Sequence, residues 1–150
     1  MRKFLASMVL GVTMCTGCGS FRAAPTPGIP QYYSQAALVL ANFSEILLRS
    51  QSVFSTAHTA GTINDADYTK GMQVFASIAA KGDAVQSLIK SEAGQASITQ
   101  AISDLIIDVG HMPDQINIKN PTSQAEFQTL CNTMASILQA TNTLVTAPKG

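Results

Sequence analysis

The side chains best suited to metal or acid–base chemistry lie around the two histidines of this sequence. His58 is followed by Asp65 and Asp67, and His111 is preceded by Asp104 and Asp108. Imidazole and carboxylate groups bind divalent metals, and the second group has a spacing that places all three residues on one side of a helix end. The same spacing is common for surface aspartates followed by a loop histidine. We therefore predict no metal site.

Nucleophilic catalysis needs a base beside a serine, threonine or cysteine, and no such arrangement stands out. Serines are plentiful, but none lies in a Gly-x-Ser-x-Gly motif. Cys131 lies between Leu130 and Met134 on the apolar side of a predicted helix, where a packed thiol is expected. No glycine-rich phosphate loop occurs. The chain is therefore predicted to be non-enzymatic, with no catalytic residues and no cofactor.

Two helical segments in the first half of the domain carry apolar residues at spacings of three and four. The first is predicted from Gln31 to about Ala60, ended by Gly61, with Glu45 and Arg49 as an ion pair on its surface. The second is predicted to begin at an Asn64 cap, to reach about residue 93 and to be ended by the glycine at 94. Asn64, Asp65 and Asp67 resemble the start of a calcium loop, but capping explains them better.

The same period predicts two more helices in the second half of the domain. The third carries Ile98 to Val109 and is predicted to be closed by Gly110 and Pro113, followed by a loop over 111–122. The fourth is predicted to begin at a capping box formed by Ser123 and Glu126. No segment alternates long enough to predict a strand, apart from the short run at 115–119.

Short connections between four amphipathic helices predict an all-α fold, an antiparallel bundle of about four helices formed by residues 31–147. Gly71 and Gly82 lie on the apolar side of the second helix, where each costs roughly 1 kcal/mol of helix propensity against alanine. Such glycines indicate either that another helix packs closely there or that a pocket opens there. Close packing is the interpretation that we favour.

The first twenty residues, MRKFLASMVLGVTMCTGCGS, have the pattern of an export signal. Arg2 and Lys3 supply positive charge, an apolar run follows, and small residues precede Cys18. The end of this segment resembles the lipobox of bacterial lipoproteins, although Cys15 occupies the position where that family has leucine. The resemblance implies that residues 1–17 are a signal peptide and that Cys18 becomes the lipidated N-terminus. In a Gram-negative host, the resemblance also implies that Gly19, in place of the aspartate that retains enteric lipoproteins in the inner membrane, favours the outer membrane.

Other interpretations of this segment stay open. It is also compatible with a plain signal peptide cut after Gly17 or near Ala23–Ala24, or with an N-terminal helix of a cytosolic protein. An uncleaved anchor is less well supported, because ~12 apolar residues fall short of the ~20 that span a bilayer. Without lipidation, a disulfide between Cys18 and Cys131 becomes possible. Residues 18–30 contain three prolines and predict a flexible tether, with a loop packed on the domain as the alternative.

Charge excludes some classes of partner. The chain has nine basic and nine acidic residues, and removal of Arg2 and Lys3 leaves a net charge of −2. No basic run is present to bind nucleic acid or anionic lipid, so membrane contact is predicted through the lipid on Cys18 alone. The sequence favours a lipid-anchored envelope module that binds an envelope protein or associates with itself. The alternative is a carrier of a small apolar ligand in a cleft between helices.

Overall fold

The structure, a computed structural model, describes residues 31–147, which form four α-helices and contain no β-strand. The predicted signal peptide at 1–17, the lipidation site Cys18 and the tether at 18–30 lie outside the described residues. The helices are α1 (Gln31–Thr59), α2 (Asp65–Lys90), α3 (Gln95–Gln115) and α4 (Pro121–Thr146). The predicted all-α fold is confirmed.

The four helices form an antiparallel bundle around one core. α1 contacts α2 and α4, and α3 contacts the same two helices, so each helix has two neighbours. Gly71 of α2 lies against Phe54 of α1, whereas Gly82, further along α2, lies against the earlier residue Phe43. The pairing therefore runs in opposite directions along the two helices. Short connections between successive helices favour this antiparallel packing.

The core contains the predicted apolar side of each helix. Its largest fully buried side chains are Phe43, Phe54, Phe127, Ile89, Ile98, Ile102, Leu105, Met112, Ile116, Met134, Leu138 and Val85. Two polar residues, Ser50 and Thr141, are also fully buried. Their hydroxyls donate to the backbone carbonyls of Ile46 and Ile137, each at 2.9 Å, so neither donor is left unsatisfied.

The end of α1 agrees with the sequence prediction. Gly61 adopts a left-handed φ of 73° and its N–H bonds to the carbonyl of His58 at 2.9 Å, while the Thr62 N–H bonds to Ala57 at 3.0 Å. These are the two hydrogen bonds of a Schellman motif, in which glycine is favoured because it has no Cβ to clash. Asn64 then caps α2 as predicted, since its Oδ1 accepts from the Asp67 N–H at 2.9 Å.

The end of α2 differs from the prediction, because the left-handed residue is Glu92 and not Gly94. α2 ends at Lys90, and Glu92 has a φ of 53° with its N–H bonded to Ile89 at 3.2 Å. Gly94 has a φ of −54° and is the N-cap of α3, a conformation that any residue adopts. Gly94 therefore marks the start of α3, and the left-handed residue that follows α2 lies two residues before it.

Glu92→Gly is expected to stabilise the protein by about 1 kcal/mol, because the left-handed conformation costs a non-glycine residue about that much. Urea unfolding followed by far-ultraviolet circular dichroism measures the change. Glu92→Ala is the matched control, because it removes the carboxylate and keeps the Cβ, and it should leave stability nearly unchanged. A similar gain in both variants would attribute the effect to charge and contradict the backbone explanation.

α3 continues through the residues that were predicted to close it. Gly110 and Pro113 both lie inside the helix, which ends at Gln115, so the predicted loop over 111–122 is wrong for its first five residues. Pro113 is in the last turns, where its missing N–H removes one backbone hydrogen bond only. Met112, one residue earlier, is fully buried, and its packing accounts for the extension.

α4 begins earlier than predicted, and the predicted capping box is wrong. Asn120 is the N-cap, with its Oδ1 accepting from the N–H groups of Thr122 at 3.0 Å and Ser123 at 3.1 Å. Pro121 follows at the first helical position, where the absence of an N–H costs nothing. Glu126 instead approaches Arg49 of α1 at 3.8 Å, so the predicted pairing of Arg49 within its own helix is also wrong.

Candidate interaction surface

The first predicted group of site residues lies at the corner between α1 and α2. His58 Nε2 is 2.8 Å from Asp65 Oδ1, and the imidazole stacks on the Tyr68 ring at a centroid distance of 4.0 Å and an angle of 11°. The Tyr68 hydroxyl in turn lies 3.2 Å from Ser55 Oγ. The third member of the group, Asp67, is bonded to the cap of α2 through its side chain and does not join His58. The cluster joins the end of α1 to the start of α2.

The structure does not bring the second predicted group together. Asp108 pairs with Lys81 of α2, and Asp104 accepts a hydrogen bond from Gln100 Nε2 at 2.8 Å. His111 is exposed on the same helix. Within residues 31–147, no three histidine, cysteine or acidic side chains are placed to hold a metal ion. The two carboxylates of this group therefore contact different neighbouring side chains, and they do not converge on a common site.

Cys131 is a free, buried thiol with 2% of its surface exposed. Burial raises the pKa of this thiol from 9.0 to about 12, because desolvation disfavours the thiolate. The thiolate is the nucleophilic form of cysteine, so such a thiol is inert near neutral pH. The structure confirms the packed thiol that the sequence predicted at Cys131. Its alternative disulfide partner, Cys18, lies outside the described residues.

The two glycines on the apolar side of α2 are covered by phenylalanine rings. A Cβ at position 71 would lie 2.3 Å from Phe54 Cζ, and one at position 82 would lie 2.9 Å from Phe43 Cε1. Both rings are buried, so α1 fills the space that these glycines leave. Close packing therefore explains Gly71 and Gly82, and no cleft opens at either one.

Gly71→Ala is expected to lower the free energy of unfolding by about 1–2 kcal/mol, because overpacking outweighs the gain in helix propensity. Gly110→Ala is the matched control, since no atom lies within 4 Å of the Cβ that it adds to α3. That control should raise stability by about 0.5–1 kcal/mol. Urea unfolding of both variants gives the comparison. Equal stabilisation of the two variants would show that Phe54 moves aside freely.

An open groove of about 320 Å³ lies between α2 and α3. Its lining comprises Lys70, Gln73, Val74, Ser77, Ile78, Lys81, Asp108 and Gln115. The lysine at 81 is already paired with Asp108 across this groove. The groove was not predicted from the sequence, because it depends on how α2 and α3 lie side by side. Three charged side chains, Lys70, Lys81 and Asp108, distinguish it from the apolar cleft that a carrier of apolar ligands requires.

The charged residues are distributed unequally around the bundle. α2 and α3 carry nine charged side chains in two helices of 26 and 21 residues. α1 and α4 carry only Glu45, Arg49 and Glu126 in 29 and 26 residues. α1 and α4 are neighbours, so one side of the bundle is nearly uncharged. Depletion of charge is a compositional mark of the centre of protein–protein interfaces.

Two stripes of exposed residues define this side, which we call the α1–α4 face. Arg49 and Glu126 join the two helices at 3.8 Å and fix which side of each helix adjoins the other. Residues at spacings of three and four from these two lie on the same stripes. The α1 stripe is Leu38, Asn42, Glu45 and Arg49, and the α4 stripe is Glu126, Thr129, Thr133, Ser136 and Ala140.

Leu38 is the main apolar side chain of this face. Its surface is 52% exposed, and it lies eleven residues before Arg49, about 17 Å along α1. Because α1 and α4 are antiparallel, the same distance along α4 from Glu126 reaches the turn that contains Ser136 and Ala140. The part of the face around Leu38 therefore contains hydroxyl, amide and methyl groups and no charge.

The hydroxyls of the α4 stripe are already bonded within their own helix. Thr129, Thr133 and Ser136 donate to the carbonyls four residues earlier at 2.9, 2.8 and 2.9 Å. A hydroxyl that keeps its hydrogen bond is cheaper to remove from water than an unpaired one. These donors would therefore remain satisfied if the face were covered by another protein.

The α1–α4 face was not predicted from the sequence, although the sequence contains one indication of it. The scarcity of charge in α1 and α4 can be counted in the sequence. Only the packing of the two helices shows that these weakly charged segments form one surface. Among the described residues, no helix combines the length and apolarity needed to cross a bilayer. Comparisons with protein-family models, with curated proteins and with solved structures found no match to this chain.

Proposed function

We propose that this protein is a lipid-anchored helical module of the bacterial cell envelope that acts by contacting protein through its α1–α4 face and has no catalytic role. The observation that carries the proposal is the nearly uncharged surface formed by α1 and α4, with Leu38 exposed on it. Depletion of charge is a compositional mark of the centre of protein–protein interfaces, and Leu38 adds apolar contact area at such a place.

The anchor is supported by the N-terminal sequence. Residues 1–17 have the order of a signal peptide, and Thr16, Gly17 and Cys18 resemble the end of a lipobox. Cys18 would carry the lipid, and residues 19–30 would link it to the start of α1. At ~3 Å per residue, an extended proline-rich segment of this length holds the bundle up to roughly 35 Å from the membrane surface. In a Gram-negative host, Gly19 favours the outer membrane over the inner one.

The carrier hypothesis loses its structural basis at the two glycines. It required an apolar cleft beside Gly71 and Gly82, and the rings of Phe54 and Phe43 occupy that space. The groove between α2 and α3 has a paired lysine and two amide side chains in its lining. The interaction role is therefore the function that the described residues favour.

The anchor is tested by measuring intact mass in the membrane fraction for the wild type and for Cys18→Ser. The wild type is expected in the membrane fraction, without residues 1–17 and with an added lipid mass. Cys18→Ser should leave that fraction and lose the added mass. Cys131→Ala is the matched control, because it removes the other cysteine of the mature chain and should keep both the membrane location and the added lipid mass. An unmodified wild-type chain would overturn the anchor.

A further inference from the structure

We propose that the partner of the α1–α4 face is the same face of a second copy of this chain, so that the protein is a parallel two-fold dimer. This inference rests on the proposed interaction role and names the partner that fits it. A two-fold contact brings each surface against an identical one, which requires that the surface be compatible with itself.

The charge distribution meets that requirement. A surface rich in one sign of charge repels its own copy, whereas the region around Leu38 has none to repel. Asn42 and Ser136 are uncharged, and Ala140 presents a methyl group. The three charges of the face, Glu45, Arg49 and Glu126, begin at the middle of α1, where Arg49 follows Glu45 by one helical turn and approaches Glu126 at 3.8 Å. The opposite side of the bundle, with nine charged side chains in α2 and α3, is less suited to self-contact.

The dimensions also fit a dimer. α1 has 29 residues and is therefore about 43 Å long. Two packed helices are about 20 Å wide, so the face offers roughly 800 Å². A stable interface of standard size buries about 800 Å² on each partner. The whole α1–α4 face, including its charged half, thus has about the area that a standard interface buries on each partner.

The anchor favours one relative orientation of the two copies. Two chains held through Cys18 in one membrane both have the start of α1 joined to the tether, and a parallel arrangement keeps both tethers on the same side of the dimer. A side of the bundle, and not its end, is then the surface that faces a neighbour. Leu38 lies in the first third of α1 and would meet the same region of the second copy at the same height.

Analytical ultracentrifugation of the full chain in detergent tests the dimer. The wild type is expected to sediment as a dimer. Leu38→Lys should raise the dimer dissociation constant at least about tenfold, because it places two like charges in the contact. Ile107→Lys is the matched control, since Ile107 is 56% exposed on α3, which does not contact α1, and its dissociation constant should equal that of the wild type.

Circular dichroism of both variants shows whether the bundle remains folded. Thr133→Lys, on the α4 stripe of the same face, is expected to weaken the dimer as Leu38→Lys does. A monomeric wild type, or equal weakening by Leu38→Lys and Ile107→Lys, would overturn the dimer. A monomer that binds a different envelope protein, with binding lost in Leu38→Lys, would overturn the dimer and leave the proposed interaction role intact. A monomer that binds no envelope protein would overturn both the dimer and the proposed interaction role.

Discussion

Phe54→Ala is expected to lower the free energy of unfolding by about 3–5 kcal/mol, the usual cost of deleting a buried phenylalanine ring. Phe54 is 1% exposed and fills the space over Gly71. Its ring also lies 5.4 Å from that of Tyr68 and 5.6 Å from that of Phe75, measured between centroids. The substitution therefore leaves a cavity between α1 and α2 beside Gly71 and removes two aromatic contacts.

Urea unfolding, followed by circular dichroism and by tyrosine fluorescence, measures this loss. Leu48→Ala is the matched control on the same helix, because Leu48 is 66% exposed and its truncation should change stability by less than about 0.5 kcal/mol. A cost below about 1 kcal/mol for Phe54→Ala would mean that α2 closes onto α1 without the ring. The explanation of Gly71 by close packing would then be wrong.

The second large effect is a loss of stability at alkaline pH that depends on Cys131. Burial raises the pKa of its thiol from 9.0 to about 12, so the folded state holds the proton after the unfolded state has released it. The stabilisation is complete below pH 9 and is lost as the pH rises toward 12. The free energy of unfolding should fall by up to about 1.4 kcal/mol per pH unit in that range from this group.

Tyrosines and lysines also titrate in this range, so the comparison is made with Cys131→Ala. That variant is less stable at neutral pH, but its decline with pH should be shallower by the contribution of one proton. A thiol reagent at neutral pH gives an independent measurement, and the folded wild type should resist modification. Parallel pH profiles for the two proteins would contradict the account of a desolvated thiol.

The helices themselves could be predicted from the sequence because each carries a regular apolar side. Gly61 and Asn64 were also assigned correctly, since a glycine after the last turn and an asparagine before the first one act locally. The errors occurred where a local signal competed with packing. Gly110 and Pro113 were taken as the end of α3, but burial of Met112 and Ile116 keeps the chain helical beyond both.

The candidate surface could not be predicted to the same extent, because it depends on contacts between helices. Nothing in the spacing of Asp104 and Asp108 shows that the second aspartate pairs with Lys81 of α2. In the same way, the pairing of Arg49 with Glu126 required knowledge that α1 and α4 are neighbours. The sequence showed two helices with few charges, and the fold showed that they share one side of the bundle.

Photo-crosslinking in intact membranes shows whether the α1–α4 face contacts protein while the chain is anchored in the envelope. A photoreactive amino acid is placed at position 38 or, as a control, at position 107. We expect a discrete adduct from position 38, of twice the mass of the chain if the dimer forms, and none from position 107. Adducts of equal yield from both positions, or none from position 38, would contradict the account.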